Sequence, residues 1–368
     1  MADPHITLAY SRDRGIVAVV SGENYAWART ALTESGFEQG EAGVYHLSGH
    51  DPDASPAMVS RALVSCAARH RTSVSTSSRP FLMDAARDLI ALLPGTWSAD
   101  IEVYSHPSGQ EDLVSYVWDS GELGRAVQTE RLPYAAILTH RDAGIDLLLV
   151  ERPGHPSGYC VGAFAPADLE TGYDDPHAPR SAVLPASPDQ GARIITERFL
   201  PAYEQAVHHR RSAAVSEALD RISGEHDAWK AMALSGRYSD GTVLGANTFS
   251  ALTEEFLSTS WRNFRTVAEH AAPVLERCDP GRGPWPQDAP VLSALSHALD
   301  DAHLLHNETG WDLVRSGDRA RAWPAISTWL DGRAAFHRQA RTSPLHKRPA
   351  LALTAAPHTP VVRPALRR

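Results

Sequence analysis

Four side chains spaced by three along one apolar-periodic stretch, His297, Asp300, His303 and His306, are by type the best metal ligands in the chain. Imidazole nitrogens and a carboxylate suit zinc or a similar ion. On a helix, however, the stripe turns through roughly 180° from its first member to its last, so neighbouring pairs at most can share an ion. Leu295, Leu299 and Ala302 centre the buried face near His306 and leave His297 and Asp300 toward solvent. The pattern therefore predicts the polar edge of a helix, and no cofactor is expected.

Arg265 and His270 fit the Arg, four residues, His pattern of small all-helical ribonucleases, which resemble this half in being helical. Among the arginines and 18 histidines of 368 residues, roughly 1.6 such pairs arise by chance. The two would also lie about 140° apart around a helix, with Glu269 beside them as an ion-pair partner. His208-His209-Arg210-Arg211 concentrates donors that suit phosphate, or simply a solvated face. The tetrapeptide His-Pro-Ser-Gly occurs at 106–109 and again at 155–158. Proline second and glycine fourth suit a type I turn, and the alternative is that His106 and His155 project from sheet loops into one site. There is no G-x-G-x-x-G after a strand, no G-x-x-x-x-G-K-[ST], no H-E-x-x-H and no G-x-S-x-G.

The elements that would carry these residues are legible from period and punctuation. Residues 134–166 hold three strand-length apolar runs, 135–139, 145–150 and 159–164, separated by Arg141-Asp142-Ala143-Gly144 and by the Pro- and Gly-bearing 153–158. An antiparallel meander is expected. Upstream, 6–10 and 16–20 read as a hairpin, 23–35 as a helix stopped by Gly36, 44–47 as a strand, and Ser55-Pro56 as a helix start. A strand at 73–77 and a helix at 80–93 complete a small α/β layer. Strands are predicted at 101–104, 113–118 and 124–129, and a linker at 167–186. From Ser187-Pro188 to Arg341 the pattern is helical, with a kink expected at Pro201 and six of the nine tryptophans in this half.

The fold expected is α+β: an N-terminal α/β layer over 1–100, an antiparallel sheet and linker over 101–186, a helical bundle over 187–341 and a disordered basic tail over 342–368. The tail carries Lys347, Arg348, Arg363, Arg367 and Arg368, with five prolines from Pro344 onward and no aromatic residue.

Gly15 before an apolar strand, Ala31-Leu32 to Gly36-Phe37, Val44-Tyr45-His46-Leu47 and Arg152-Pro153-Gly154-His155 follow one another in that order. Arg198-Phe199-Leu200-Pro201-Ala202-Tyr203 running into His208-His209-Arg210-Arg211 comes after them. That order resembles uncharacterised proteins common in Streptomyces-type actinomycetes. The resemblance covers the first two-thirds of the chain and implies no catalytic residue. Some such proteins belong to plasmids or integrated elements, which implies an accessory role around DNA.

Composition narrows the rest. At 43% hydrophobic and 21% charged, 368 residues can bury two or three cores, and no apolar run approaches the ~18 residues of a membrane span. The polar start and three isolated cysteines, Cys66, Cys160 and Cys278, predict a cytoplasmic protein with reduced thiols. From 332 to 368 there are eight of the 35 basic residues and none of the 44 acidic ones, which leaves a body of −17 that is a poor nucleic-acid surface. The expectation is a non-catalytic interaction or accessory protein with a protein partner, nucleic acid entering through the tail. A hydrolase or ribonuclease using the helical histidines is the alternative.

Overall fold

The computed structural model describes residues 3–47, 56–152, 154–155, 157–172, 174–238, 240–279, 281, 284–311 and 316–342. The basic tail, with Lys347, Arg348, Arg363, Arg367 and Arg368, lies outside the described residues, as does Ser55. The architecture is α+β, as the patterning predicts.

Strands β1 (His5–Ser11) and β2 (Gly15–Ser21) form the expected hairpin, with Gly15 at φ +69° closing the turn. Helix α1 (Tyr25–Glu34) buries Ala28, Ala31 and Leu32 and gives way at Gly36, whose φ of +83° a side chain would strain. After β3 (Phe37–Gln39), β4 (Tyr45–Leu47) and α2 (Pro56–Arg69), strand β5 (Ser73–Pro80) returns beside β1. The sheet order is β3-β4-β2-β1-β5, with β5 parallel to β1 at the edge. Ile6, Ala18 and Val20 meet Ala28, Leu32, Leu63 and Cys66 in one buried core. Helix α3 (Leu82–Ile90) clasps the hairpin: buried Asp84 accepts from the Ser11 hydroxyl at 3.2 Å and the Arg12 amide at 2.7 Å, while Asp88 takes the Arg12 guanidinium.

The second sheet begins with β6 (Trp97–Val103). The strands expected at 113–118 and 124–129 are corrected here: α4 (Pro107–Val114), the two-residue β7 (Val117–Trp118) and α5 (Glu122–Thr129) occupy this span. The first His-Pro-Ser-Gly is no free turn, because His106 caps α4 through its own Nδ1, 3.2 Å from the Ser108 amide, and Pro107 fills the first helical position. The meander then forms as expected from β8 (Tyr134–His140), β9 (Ile145–Glu151) and β10 (Tyr159–Phe164). Every residue of β10 is buried, and Gly162 lets Leu123 of α5 lie directly on it. The 167–186 segment, read as a linker, is folded onto this sheet. It contributes β11 (Ala182–Leu184) beside β10, and Asp119 binds the Ser181 amide.

Helix α6 (Pro188–Ile194) passes through a π turn (Ile195–Phe199) into α7 (Leu200–Ser235). Pro201 has no N–H for the Glu197 carbonyl, and the wide turn lies just before it. Helices α8 (Ala246–Leu275), α9 (Ala289–Thr309) and α10 (Ser316–Thr342) complete the described residues. Trp261, Phe264, Leu295, Trp329 and Phe336 centre their core, and Trp329 donates to the Leu295 carbonyl at 3.1 Å. Tertiary contacts divide the chain into two compact units, the first ending at Glu204 and the second beginning at Gln205 within α7.

Candidate functional site

The helical unit places the sequence candidates apart. On α9, His297, Asp300 and His303 are exposed, and His306 stacks on Trp311 with ring centroids 4.4 Å apart. Among the described residues no three His, Cys, Asp or Glu side chains gather as a metal would need. On α8, His270 is buried on the face of Val267, Ala271 and Val274, whereas Arg265 is on the surface with Glu269 at 2.7 Å. They serve different surroundings. His208 is buried and donates from Nε2 to the Ala340 carbonyl at 2.9 Å, tying α7 to α10.

In the first unit, His106 belongs to its helix cap and meets the Tyr25 ring edge-on, and the exposed His155 lends its backbone carbonyl to Arg79. Arg79, Glu151 and Tyr134 form a half-buried chain, with Glu151 3.3 Å from the guanidinium and 2.7 Å from the Tyr134 hydroxyl. Burial, then the Glu151 charge, pushes the phenol up and out of reach of neutral pH. Arg79 also donates to the Arg152 and His155 carbonyls, so it ties β5 to the chain that follows β9.

What stands out in the helical unit is a hairpin rather than a pocket. From 223 to 255, across the end of α7, the turn and the start of α8, no described residue is buried. A helix without a buried face is marginal in water. Here aromatic stacking supplies the support. Trp229 lies nearly parallel to Phe256 with centroids 5.3 Å apart and to Phe249 at 6.2 Å, and its indole N–H reaches Thr253 at 3.1 Å. His226 joins the stack and touches Trp323 of α10 at 4.9 Å, which fixes the hairpin to the bundle. At its base the Glu225 carboxyl, its pKa raised by burial, accepts from Asn263 at 3.1 Å.

The tip is ordered by its own polar groups. Tyr238 and Thr242 bond through their backbones, the Leu244 amide returns to the Gly236 carbonyl, and Arg237 reaches the Gly241 carbonyl at 2.8 Å. Gly236 and Gly241, at φ +63° and +88°, allow the reversal. Around this frame Leu234 is 80% exposed and Val243 66% exposed. A tip built to hold its shape thus presents two large aliphatic side chains to solvent. Sequence periodicity places helices here but gives no signal that one stretch leaves its core.

No protein-family model matches the chain, and neither a curated protein nor a solved structure matches it.

Proposed function

We propose that the protein is an interaction protein that docks on a partner protein through the 223–255 hairpin, with Leu234 and Val243 as the first side chains to be covered. The observation that carries this reading is the combination of a braced hairpin with no buried residue among those described and an aliphatic tip in water. Ordering a segment costs about 1 to 2 kcal/mol per residue, and a stack of aromatic rings plus a polar turn offsets part of that without burying the tip. Burial of both aliphatic side chains against an apolar groove would add roughly 1.5 to 3 kcal/mol each. No helix of the described residues is long and apolar enough to cross a membrane, so a bilayer-spanning role for this hairpin has no support.

The resemblance to actinomycete proteins of plasmids and integrated elements supports the finer reading, an accessory role around mobile DNA inside the cytoplasm. The five positive charges of the tail fit it. A photo-crosslinking residue at position 234 in cells should give a discrete adduct with one partner species, and one at exposed Glu217 should not. Val243→Asp should abolish the adduct while leaving the melting temperature unchanged. Equal crosslinking from both positions, or an adduct indifferent to Val243→Asp, would sink the reading.

A further inference from the structure

We propose that Ser75 is a nucleophile toward short-chain carboxylic esters, with His5 as its general base and Ser73 as the residue that positions His5. The assignment is independent of the hairpin and lies in the other compact unit. Strands β1 and β5 run parallel with His5 opposite Ser73 and Thr7 opposite Ser75, so one face gathers an imidazole and several hydroxyls. The His5 ring lies between two serines: Nδ1 is 2.7 Å from the Ser73 Oγ, and Nε2 is 2.7 Å from the Ser75 Oγ.

The direction of the proton chain is assigned from its Pro4 end, where the carbonyl also accepts the Ser73 amide at 3.0 Å. The Pro4 carbonyl can only accept, and the Ser73 hydroxyl donates to it at 3.3 Å. Ser73 therefore accepts the Nδ1–H of His5, which leaves Nε2 bare and accepting from the Ser75 O–H. This tautomer is assigned from the network, and it is the one a general base needs. Burial lowers the His5 pKa, so the ring is neutral at pH 7, while Ser75 itself is exposed.

In the reaction the Ser75 Oγ attacks the ester carbonyl carbon as its proton passes to His5 Nε2. The acyl–oxygen bond of the ester breaks, and the alcohol leaves with the proton that Nε2 returns. Water, deprotonated by the same nitrogen, then hydrolyses the acyl-serine, releases the acid and restores the Ser75 hydroxyl. An edge strand turns alternate N–H groups away from its neighbour, and among the described residues no strand pairs with β5 on its far side, so the oxyanion is assigned to those outward backbone donors. A hydroxyl and a carbonyl orient the base where a carboxylate would make it stronger, which limits the reaction to activated esters. The surroundings, Thr7, Ser73 and Ser77, are hydroxyl-bearing, which favours a short, polar acyl group.

Full-length protein treated with a fluorophosphonate should carry one adduct, located on Ser75 by peptide mass mapping, and should turn over p-nitrophenyl acetate. Ser75→Ala should lose both. His5→Gln should slow turnover about a hundredfold, and Ser73→Ala should lower kcat about tenfold with KM unchanged. Because these changes could also disturb the strand, Ser75→Cys supplies a second measurement: its alkylation by iodoacetamide should slow when His5→Gln is added. The absence of an adduct on Ser75, turnover that survives Ser75→Ala, or equal alkylation with and without His5 would each overturn the assignment.

Discussion

At the scale of single residues, several histidines serve as hydrogen-bonding rings inside the fold. His208 illustrates the consequence for pH. Burial lowers its pKa, the bond to Ala340 opposes that shift, and Arg277, His209 and Arg211 add to the lowering. The pKa of His337, which meets Ser216 at 3.2 Å, is lowered by burial and by Arg333 and Arg341, against Asp220. A depressed histidine resists protonation in the fold, so the stability it lends is complete above the ordinary value of 6.5 and drains away as pH falls from there through the lowered value. Glu225, with its pKa raised, acts in the opposite sense, since protonation relieves its burial. The denaturant midpoint of the helical unit should therefore drop between pH 7.5 and 5.5, and a His208→Gln, His337→Gln double variant should show a smaller drop. An unchanged difference would mean that these rings stay neutral for no energetic reason. His5 was the residue least legible in the sequence, because its partners lie 68 and 70 positions away and only the parallel register of β1 and β5 brings them to it.

At the scale of elements, close approach matters more than propensity. A Cβ on Gly162 would run into the Leu123 side chain, although the glycine's φ is one that any residue could adopt. Gly162→Ala should thus cost about 1 to 3 kcal/mol by overpacking. Adding Leu123→Ala should return part of that loss, so that the pair costs less than the sum of the two changes in a thermal or urea titration. The meander, the hairpin of β1 and β2 and the long helices were legible because their apolar periods agree with their tertiary faces. The 107–129 stretch was not. Leu113, Val114, Val117 and Trp118 look like a strand by composition, yet the capping His106 and Pro107 start a helix that buried Gln110 secures. Gln110 spends both ends of its amide, donating to the Val127 and Glu130 carbonyls and accepting from Leu132 and Arg131. The second His-Pro-Ser-Gly leads into Tyr159-Cys160-Val161, and the chain there enters β10 through Gly158 at φ +86°. The C-terminal neighbours of the two copies differ, a helical Gln-Glu-Asp-Leu run after the first and a strand-forming apolar run after the second.

At the scale of the whole molecule, charge is divided between an acidic body and a tail whose net charge is positive. If the five basic residues from Lys347 onward all met phosphates of duplex DNA, log K should fall against log salt with a slope of roughly −4 to −5. A chain ending at Ser343 should lose that binding, and equal affinity of the two chains would leave the tail as a neutralising partner of the body. The charges of the tail are tested through salt and the 223–255 hairpin through crosslinking. The edge strand β5 bears on the behaviour of the molecule in a crowded solution. Its sequence, Ser-Val-Ser-Thr-Ser-Ser-Arg-Pro, has one aliphatic side chain and closes with a cation and an imino acid. Adding a foreign strand there would zip hydroxyls against hydroxyls, with little dry surface between layers and no amide at Pro80 to continue the ladder. An open edge of this composition should resist fibril growth at concentrations where a valine-rich edge would seed it.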